Sequence, residues 1–245
     1  MRGAILTVNP RAVIVDLTHG IPPGRIQAGA FALAAAYRSF PRHTIHVAVV
    51  DPGVGGSRLP LLVQTSHYWF IGPDNGVLSW ALLDEEILSV RSIDNPTFMH
   101  HPVSRTFHGR DIFGPAAAHL SLGKPPASLG RKLDTWSRLK WPTPLCETNR
   151  ALGEIIYTDR FGNLITNIPE SSVRHLDPAT LRVQTTKRRR TLPIVDSYTS
   201  VPDGKPMALI GSSQFLELAV NGGSAATLLG LGPGHPVEVH RKQQR

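Results

Sequence analysis

The 245-residue chain is long enough to bury a sizeable core, as one large domain or two modest ones, and with 41% hydrophobic and 18% charged residues it is globular rather than disordered. No apolar run is long enough to span a bilayer, and Cys146 is alone, which excludes a disulfide framework and a cysteine metal cage. Net charge is +8, but much of the excess lies in Lys187-Arg188-Arg189-Arg190 and in Arg241, Lys242 and Arg245, which read as a solvated hairpin tip and a frayed end; nucleic acid is not the expected partner, since no recognised binding module accompanies them.

The first half alternates strands and helices. Residues 12–16 form an apolar strand closed by the breaker Leu17-Thr18-His19-Gly20-Ile21-Pro22-Pro23-Gly24. Residues 25–40 carry Ile26, Ala30, Leu33, Ala34 and Tyr37 at helical spacing and stop before Pro41. Val47, Ala48, Val49 and Val50 are too few for a helix and too continuously apolar for a half-exposed strand, so a strand covered on both faces is expected to deliver Asp51 to a ligand. The glycine-rich turn that follows, Pro52-Gly53-Val54-Gly55-Gly56-Ser57-Arg58, stops the ladder and permits close approaches. An ordinary strand-to-loop turn capped by an Asp is the alternative reading. Strands at 61–64 and 69–72 precede the turn Pro73-Asp74-Asn75-Gly76; 77–88 reads as helix, 88–93 as extended, and 110–123 as an alanine-rich helix capped by Gly123. This alternation predicts an α/β N-terminal domain over 1–123 with a mostly parallel sheet.

Pro125, Pro126, Pro142 and Pro144 break the periodicity of 124–150, which is expected to link to a second unit. From 151 to 245 the segments are short and strand-like, at 153–159, 164–167, 181–184, 190–195, 207–210, 215–220 and 237–240. Turn residues separate them at the spacing of a smaller all-β, barrel-like domain.

Besides Asp51 and Arg58, three polar clusters could carry chemistry. Thr106-Phe107-His108-Gly109-Arg110-Asp111 opens the alanine-rich helix, where His108 is either a catalytic group or a neighbour of the helix cap. Tyr157-Thr158-Asp159-Arg160-Phe161-Gly162-Asn163 places polar groups around a tight turn, able to hold an ammonium group or to form Asx turns. Gly211-Ser212-Ser213-Gln214 puts hydroxyls before the strand Phe215-Leu216-Glu217-Leu218-Ala219-Val220, and reads equally as a polar turn. No Walker A loop, complete dinucleotide fingerprint, His-Glu-x-x-His pair or Gly-x-Ser-x-Gly elbow is present.

Taken together and in order, Asp16-Leu17-Thr18-His19, 49–58, Pro73-Asp74-Asn75-Gly76, 106–113, 159–167 and 212–221 resemble the S-adenosyl-L-methionine (SAM) hydrolases, the adenosine-forming enzymes also called SAM hydroxide adenosyltransferases, which are related to fluorinase and chlorinase. The resemblance covers nearly the whole chain. It implies an N-terminal α/β domain, a C-terminal β-barrel-like domain and a homotrimer with active sites between subunits; composition alone makes the cytoplasm the default compartment. SAM would be the substrate, with no cofactor and no metal. The family's catalytic Asp, Arg and His fall on Asp51, Arg58 and His108; in the halogenating branch tyrosines occupy the positions of Asp51 and His108, so the resemblance favours a hydrolase over a halogenase. Phe107 and Tyr198 would pack near the adenosine, Asp159 and Asn163 would hold the methionine amino group, and Ser212 and Ser213 would lie near its carboxylate. Fluorinase has an Arg where this chain has Ser213, which cannot form a bidentate fork.

The resemblance also implies a further strand, and a turn whose Asp binds the ribose hydroxyls, before the element matched by Met1-Arg2-Gly3. The expectation is a start set too late, or a truncated form. A catalytically impaired SAM- or adenosine-binding protein is the corresponding alternative.

Overall fold

The computed structural model describes residues 1–174, 179–184 and 189–241, apart from the side chains of 179–184, 189, 190 and 241. The chain divides into two compact units, Met1–Lys140 and Trp141–Arg245.

The first unit is built on a four-stranded sheet. Its strands are β1 (Ile45–Val47), β2 (Pro60–Thr65), β3 (Trp69–Pro73) and β4 (Ile87–Ser92), ordered β1-β3-β2-β4. Only β1 and β3 run parallel; β2 is antiparallel to both β3 and β4, so the expected mostly parallel sheet is not what forms. The reason is the connection. Only Ser66, His67 and Tyr68 separate β2 from β3, with Thr65 N donating to Tyr68 O, whereas a parallel neighbour needs a crossover of a dozen or more residues.

Alternation along β2 decides what covers each face. Leu61 and Val63 join Phe70, Leu33 and Tyr37 in one cluster, under helix α2 (Ile26–Ala36) and its 3-10 extension Tyr37–Ser39. Leu62 and Ile71 join Phe113, Ala116, Ala117 and Leu120 in another, under helix α3 (Gly114–Ser121). Helix α1 (Arg2–Val8), which the hydrophobic pattern does not announce, packs on α3.

Three further expectations change. Residues 77–82 make successive turns, Ser79 N to Gly76 O and Leu82 N to Ser79 O, instead of a helix. Val77, Leu78, Trp80, Ala81 and Leu82 are all buried, leaving no polar face for a surface helix. Residues 12–16 belong to no strand among the described residues, and Val13 is 92% exposed. A strand needs a ladder, and the segment is held instead by Arg2, whose Nη1 donates to Asp16 Oδ2 at 2.9 Å. Third, β1 ends at Val47, lies at the sheet edge and leaves Val49 exposed, so the chain running into Asp51 is not covered on both faces.

The second unit follows its predicted strands closely. A short β5 (Leu145–Cys146) pairs with β6 (Arg150–Thr158); Cys146 is exposed, with Sγ 3.1 Å from Ser172 Oγ. Next come β7 (Leu164–Pro169), β8 (Ala179–Gln184), β9 (Arg189–Pro193), β10 (Pro206–Ile210), β11 (Phe215–Val220) and β12 (Pro236–Arg241). The path β10-β11-β7-β6-β12-β8-β9 is antiparallel throughout and curls round a core that includes Ile155, Leu164, Leu192, Leu216, Leu218 and Val237. Its two ends meet at a single bridge, Ile194 to Ala208, not at a ladder, so the expected barrel is an open, curled sheet. The basic run Lys187-Arg188-Arg189-Arg190 and the tail Arg241, Lys242 and Arg245 lie, in their side chains, outside the described residues.

Candidate active site

In the first unit the glycine-rich loop folds Arg58 back onto Asp51. Val54 N donates to Asp51 O and Gly56 N to Gly53 O, two turns that reverse the chain between the two side chains. Gly55 makes this possible, with φ +77°, and a Cβ there would overlap the backbone carbonyl of Arg105. Arg58 Nε donates to Asp51 Oδ1 at 3.1 Å and Nη2 donates to Oδ2, a bidentate pair in which both side chains are nearly buried.

The same Nη2 lies 2.6 Å from His108 Nδ1. A guanidinium has no acceptor, so Nδ1 must accept, and the neutral ring carries its proton on Nε2. Burial, and then the Arg58 charge, push the His108 pKa below its usual value, with Asp51 and Asp111 opposing. His108 immediately precedes a π-helical turn, Gly109–Phe113, which runs into α3. Phe113 puts its ring 5.4 Å from the Arg58 guanidinium carbon. Asp51, Arg58 and His108 thus form one contiguous group, although His108 lies 50 residues beyond Arg58 in sequence.

The rest of the His108 cluster holds the loop together. Asp111 is fully buried, takes both Arg110 Nε (2.6 Å) and Nη2 (3.0 Å), and accepts from Ser104 N at 2.8 Å. Arg110, chiefly, holds the Asp111 carboxyl below the usual range. Phe107 is half exposed and carries the Arg110 guanidinium over its ring at 4.9 Å. Asp51 also borders a cavity of about 1560 Å³, lined by Asp16, Leu17, His46 and Val49 among others; Arg58 and His108 do not line it. That volume exceeds the roughly 300–1,000 Å³ of small-molecule sites.

The remaining candidates lie in the second unit. Asp159 makes the Asx turn: Oδ1 accepts from Phe161 N (2.9 Å) and Asn163 N (2.8 Å), and Oδ2 from Asn163 Nδ2 (3.0 Å). Oδ1 is saturated by its two donors, but Oδ2 accepts only one and retains a lone pair, so the turn does not preclude a ligand ammonium. Ser212 and Ser213 occupy the turn between β10 and β11, closed by Gln214 N donating to Gly211 O; Gln214 takes a left-handed φ of +64°. Tyr198, in a 3-10 turn (Tyr198–Ser200), is about half exposed and donates from its hydroxyl to Glu217 Oε1 at 2.7 Å. Glu217 was not singled out by the sequence reading. Its one signal is a carboxylate inside an otherwise apolar strand, for such a strand rarely buries a charge without a task. Among the described residues, no group of three or more His, Cys, Asp or Glu side chains is placed to hold a metal ion, and no helix is long and apolar enough to cross a membrane.

Residues 1–130 match the SAM hydroxide adenosyltransferase N-terminal domain and residues 153–238 its C-terminal domain. The chain is 38% identical to the (R)-S-adenosyl-L-methionine hydrolase of Thermus thermophilus, over 94% of this chain and 89% of that protein. To the hydrolase of the same name from Salinispora arenicola it is 35% identical, over 97% and 90%. The fluorinase of Nocardia brasiliensis is more distant, 25% identical over 97% and 91%. The crystal structure of an uncharacterized conserved protein from Thermotoga maritima superposes with a TM-score of 0.90 at 34% identity, covering 98% of this chain and 93% of that one. With both domains matched in order across most of its length, the chain belongs to the SAM hydroxide adenosyltransferase family.

Proposed function

We propose that this protein hydrolyses SAM to adenosine and L-methionine, with Asp51, Arg58 and His108 as the catalytic group. The observation that carries the reading is the contiguity of these three side chains in a chain 35–38% identical to SAM hydrolases. Water attacks ribose C5′ in line with the sulfonium; the C5′–O bond forms as the C5′–S bond breaks, and its electron pair leaves on sulfur as the neutral thioether of methionine. The leaving group needs no acid, and the proton shed by the attacking water goes through Asp51 to solvent. Free water has a pKa of roughly 15.7, so the protein must assist its deprotonation.

The geometry supports a division of labour. Arg58 occupies one lone-pair site on each Asp51 oxygen and leaves others to accept from the water. Neutral His108, with its proton on Nε2, serves as a hydrogen-bond donor to the developing hydroxide, not as the base. An anionic nucleophile meeting a cationic substrate neutralises charge, so a site poor in water favours the reaction. Phe107 and Tyr198 offer ring faces to the adenosine, Asp159 and Asn163 acceptors to the methionine ammonium, and Ser212 and Ser213 donors to its carboxylate. This reading includes a cytoplasmic homotrimer with active sites between subunits.

Turnover of SAM in water enriched in oxygen-18, followed by mass spectrometry, tests the reaction. Adenosine labelled at its 5′ oxygen, together with unlabelled methionine, is expected. Absence of adenosine rejects the hydrolase, and a halide-dependent halogenated nucleoside would replace it with the halogenase.

A further inference from the structure

The second unit buries a carboxyl that the reaction as drawn does not use. Glu217 sits on β11 between the buried Leu216 and Leu218, pairs in register with Leu209 of β10 and Ile165 of β7, and is only 7% exposed. Among the described residues no Lys, Arg or His forms an ion pair with it, so its burial is not offset by a countercharge. What it does touch are two of the proposed substrate-binding elements. Oε1 accepts the Tyr198 hydroxyl at 2.7 Å, and Oε2 lies so close over Gly211 that a Cβ there would overlap it. Gly211 opens the turn bearing Ser212 and Ser213, and the Asp159 charge is felt at both Glu217 and Tyr198.

We propose that Glu217 is a positioning residue for the substrate, its buried carboxyl clamping the Tyr198 phenol on one side and seating the Ser212-Ser213 turn on the other before SAM binds. The inference rests on the SAM reading above. A half-exposed tyrosine free to swing must be ordered at the moment of binding; one held by its hydroxyl has that entropy already removed, while the residue stays about half exposed. Burial chiefly, with the Asp159 charge, pushes the Glu217 carboxyl above its usual range, the Tyr198 hydrogen bond opposing. Charged or neutral, one oxygen accepts from the phenol, so an amide can replace the acid.

The test is steady-state kinetics with SAM on wild type, Glu217→Gln, Glu217→Ala, Tyr198→Phe and the Glu217→Ala/Tyr198→Phe pair, each checked by circular dichroism. Glu217→Ala and Tyr198→Phe are each expected to raise KM about tenfold, the scale of one lost hydrogen bond with its ordering, while changing kcat less than about twofold. Glu217→Gln is expected to stay within about threefold of wild type, and the pair to be no worse than Glu217→Ala alone. Should Glu217→Ala fail to fold, Tyr198→Phe and Glu217→Gln decide. An unchanged KM in Tyr198→Phe, or Glu217→Gln with a KM raised as far as tenfold, overturns the clamp, as do single effects that multiply in the pair. Wild type that releases no adenosine overturns the SAM reading and the clamp together, whereas the other failures leave SAM hydrolysis standing.

Discussion

Arg58 is gripped from two sides, by the Asp51 carboxylate and by the lone pair of His108 Nδ1, and this geometry makes specific demands on the side chain. Arg58→Lys keeps the charge but replaces a planar fork with a single ammonium, which cannot meet both Asp51 oxygens and the imidazole at once. A fall in kcat on the order of 100-fold or more is expected, with an unchanged far-ultraviolet circular dichroism spectrum; retention of more than about a tenth of wild-type kcat would refute the role given to Arg58. At this scale the sequence was partly legible. Asp51 and Arg58 lie seven residues apart across a glycine-rich turn, a local pattern that can be read directly. His108 joins them only through the fold, and as an isolated His before a helix it reads more readily as a cap neighbour than as a catalytic group. Glu217 left almost no trace, because a single acid in an apolar strand has no periodic signature.

The element that brings the proposed catalytic group together is the loop from Asp51 to Arg58, and it depends on one residue lacking a side chain. Gly55→Ala would need a left-handed alanine and would drive its methyl into the Arg105 carbonyl, so the loop must open. A stability loss on the order of 2 kcal/mol is expected, with activity lost in the protein that remains folded. Gly20→Ala is the control, because the nearest atom to its new methyl is Thr18 Oγ1 at an ordinary 3.5 Å. Equal urea midpoints for wild type and Gly55→Ala would sink the argument. The strands of the second unit were legible because antiparallel hairpins announce themselves through Gly, Pro and Asn between short apolar runs. Strand direction in the first unit was not, since parallel and antiparallel neighbours share one hydrophobic pattern and differ in the connection. The three residues joining β2 to β3 were the available signal. Likewise, 77–82 shows helical apolarity on every side, which marks burial more than helix.

For the molecule as a whole, the acid limit of stability is set in part by His46. Its ring lies within a box of aromatics, stacked on Phe70 with centroids 5.2 Å apart and edge-on to Tyr37 and Phe40, and its buried Nε2 has no hydrogen-bond partner among the described residues. Burial pushes its pKa down to about 4, the Glu85 charge opposing. The unfolded chain, titrating near the usual value of about 6.5, binds a proton that the folded chain refuses between these limits, so the stabilisation is intact above pH ~6.5 and is lost as pH falls toward 4. About 2 kcal/mol should disappear between pH 7 and pH 5. His46→Phe keeps the aromatic packing and removes this dependence; equal drops in urea midpoint for wild type and variant would show that another group is responsible.

Cys146, exposed on β5, has a use unrelated to chemistry at the site. It is the chain's single cysteine, so a maleimide dye marks every subunit once, without any substitution, and a labelled assembly carries as many fluorophores as it has chains. Counting photobleaching steps on single immobilised particles then reads subunit number directly. Three steps are expected of a fully labelled homotrimer, and a population bleaching in one or two would rule that assembly out.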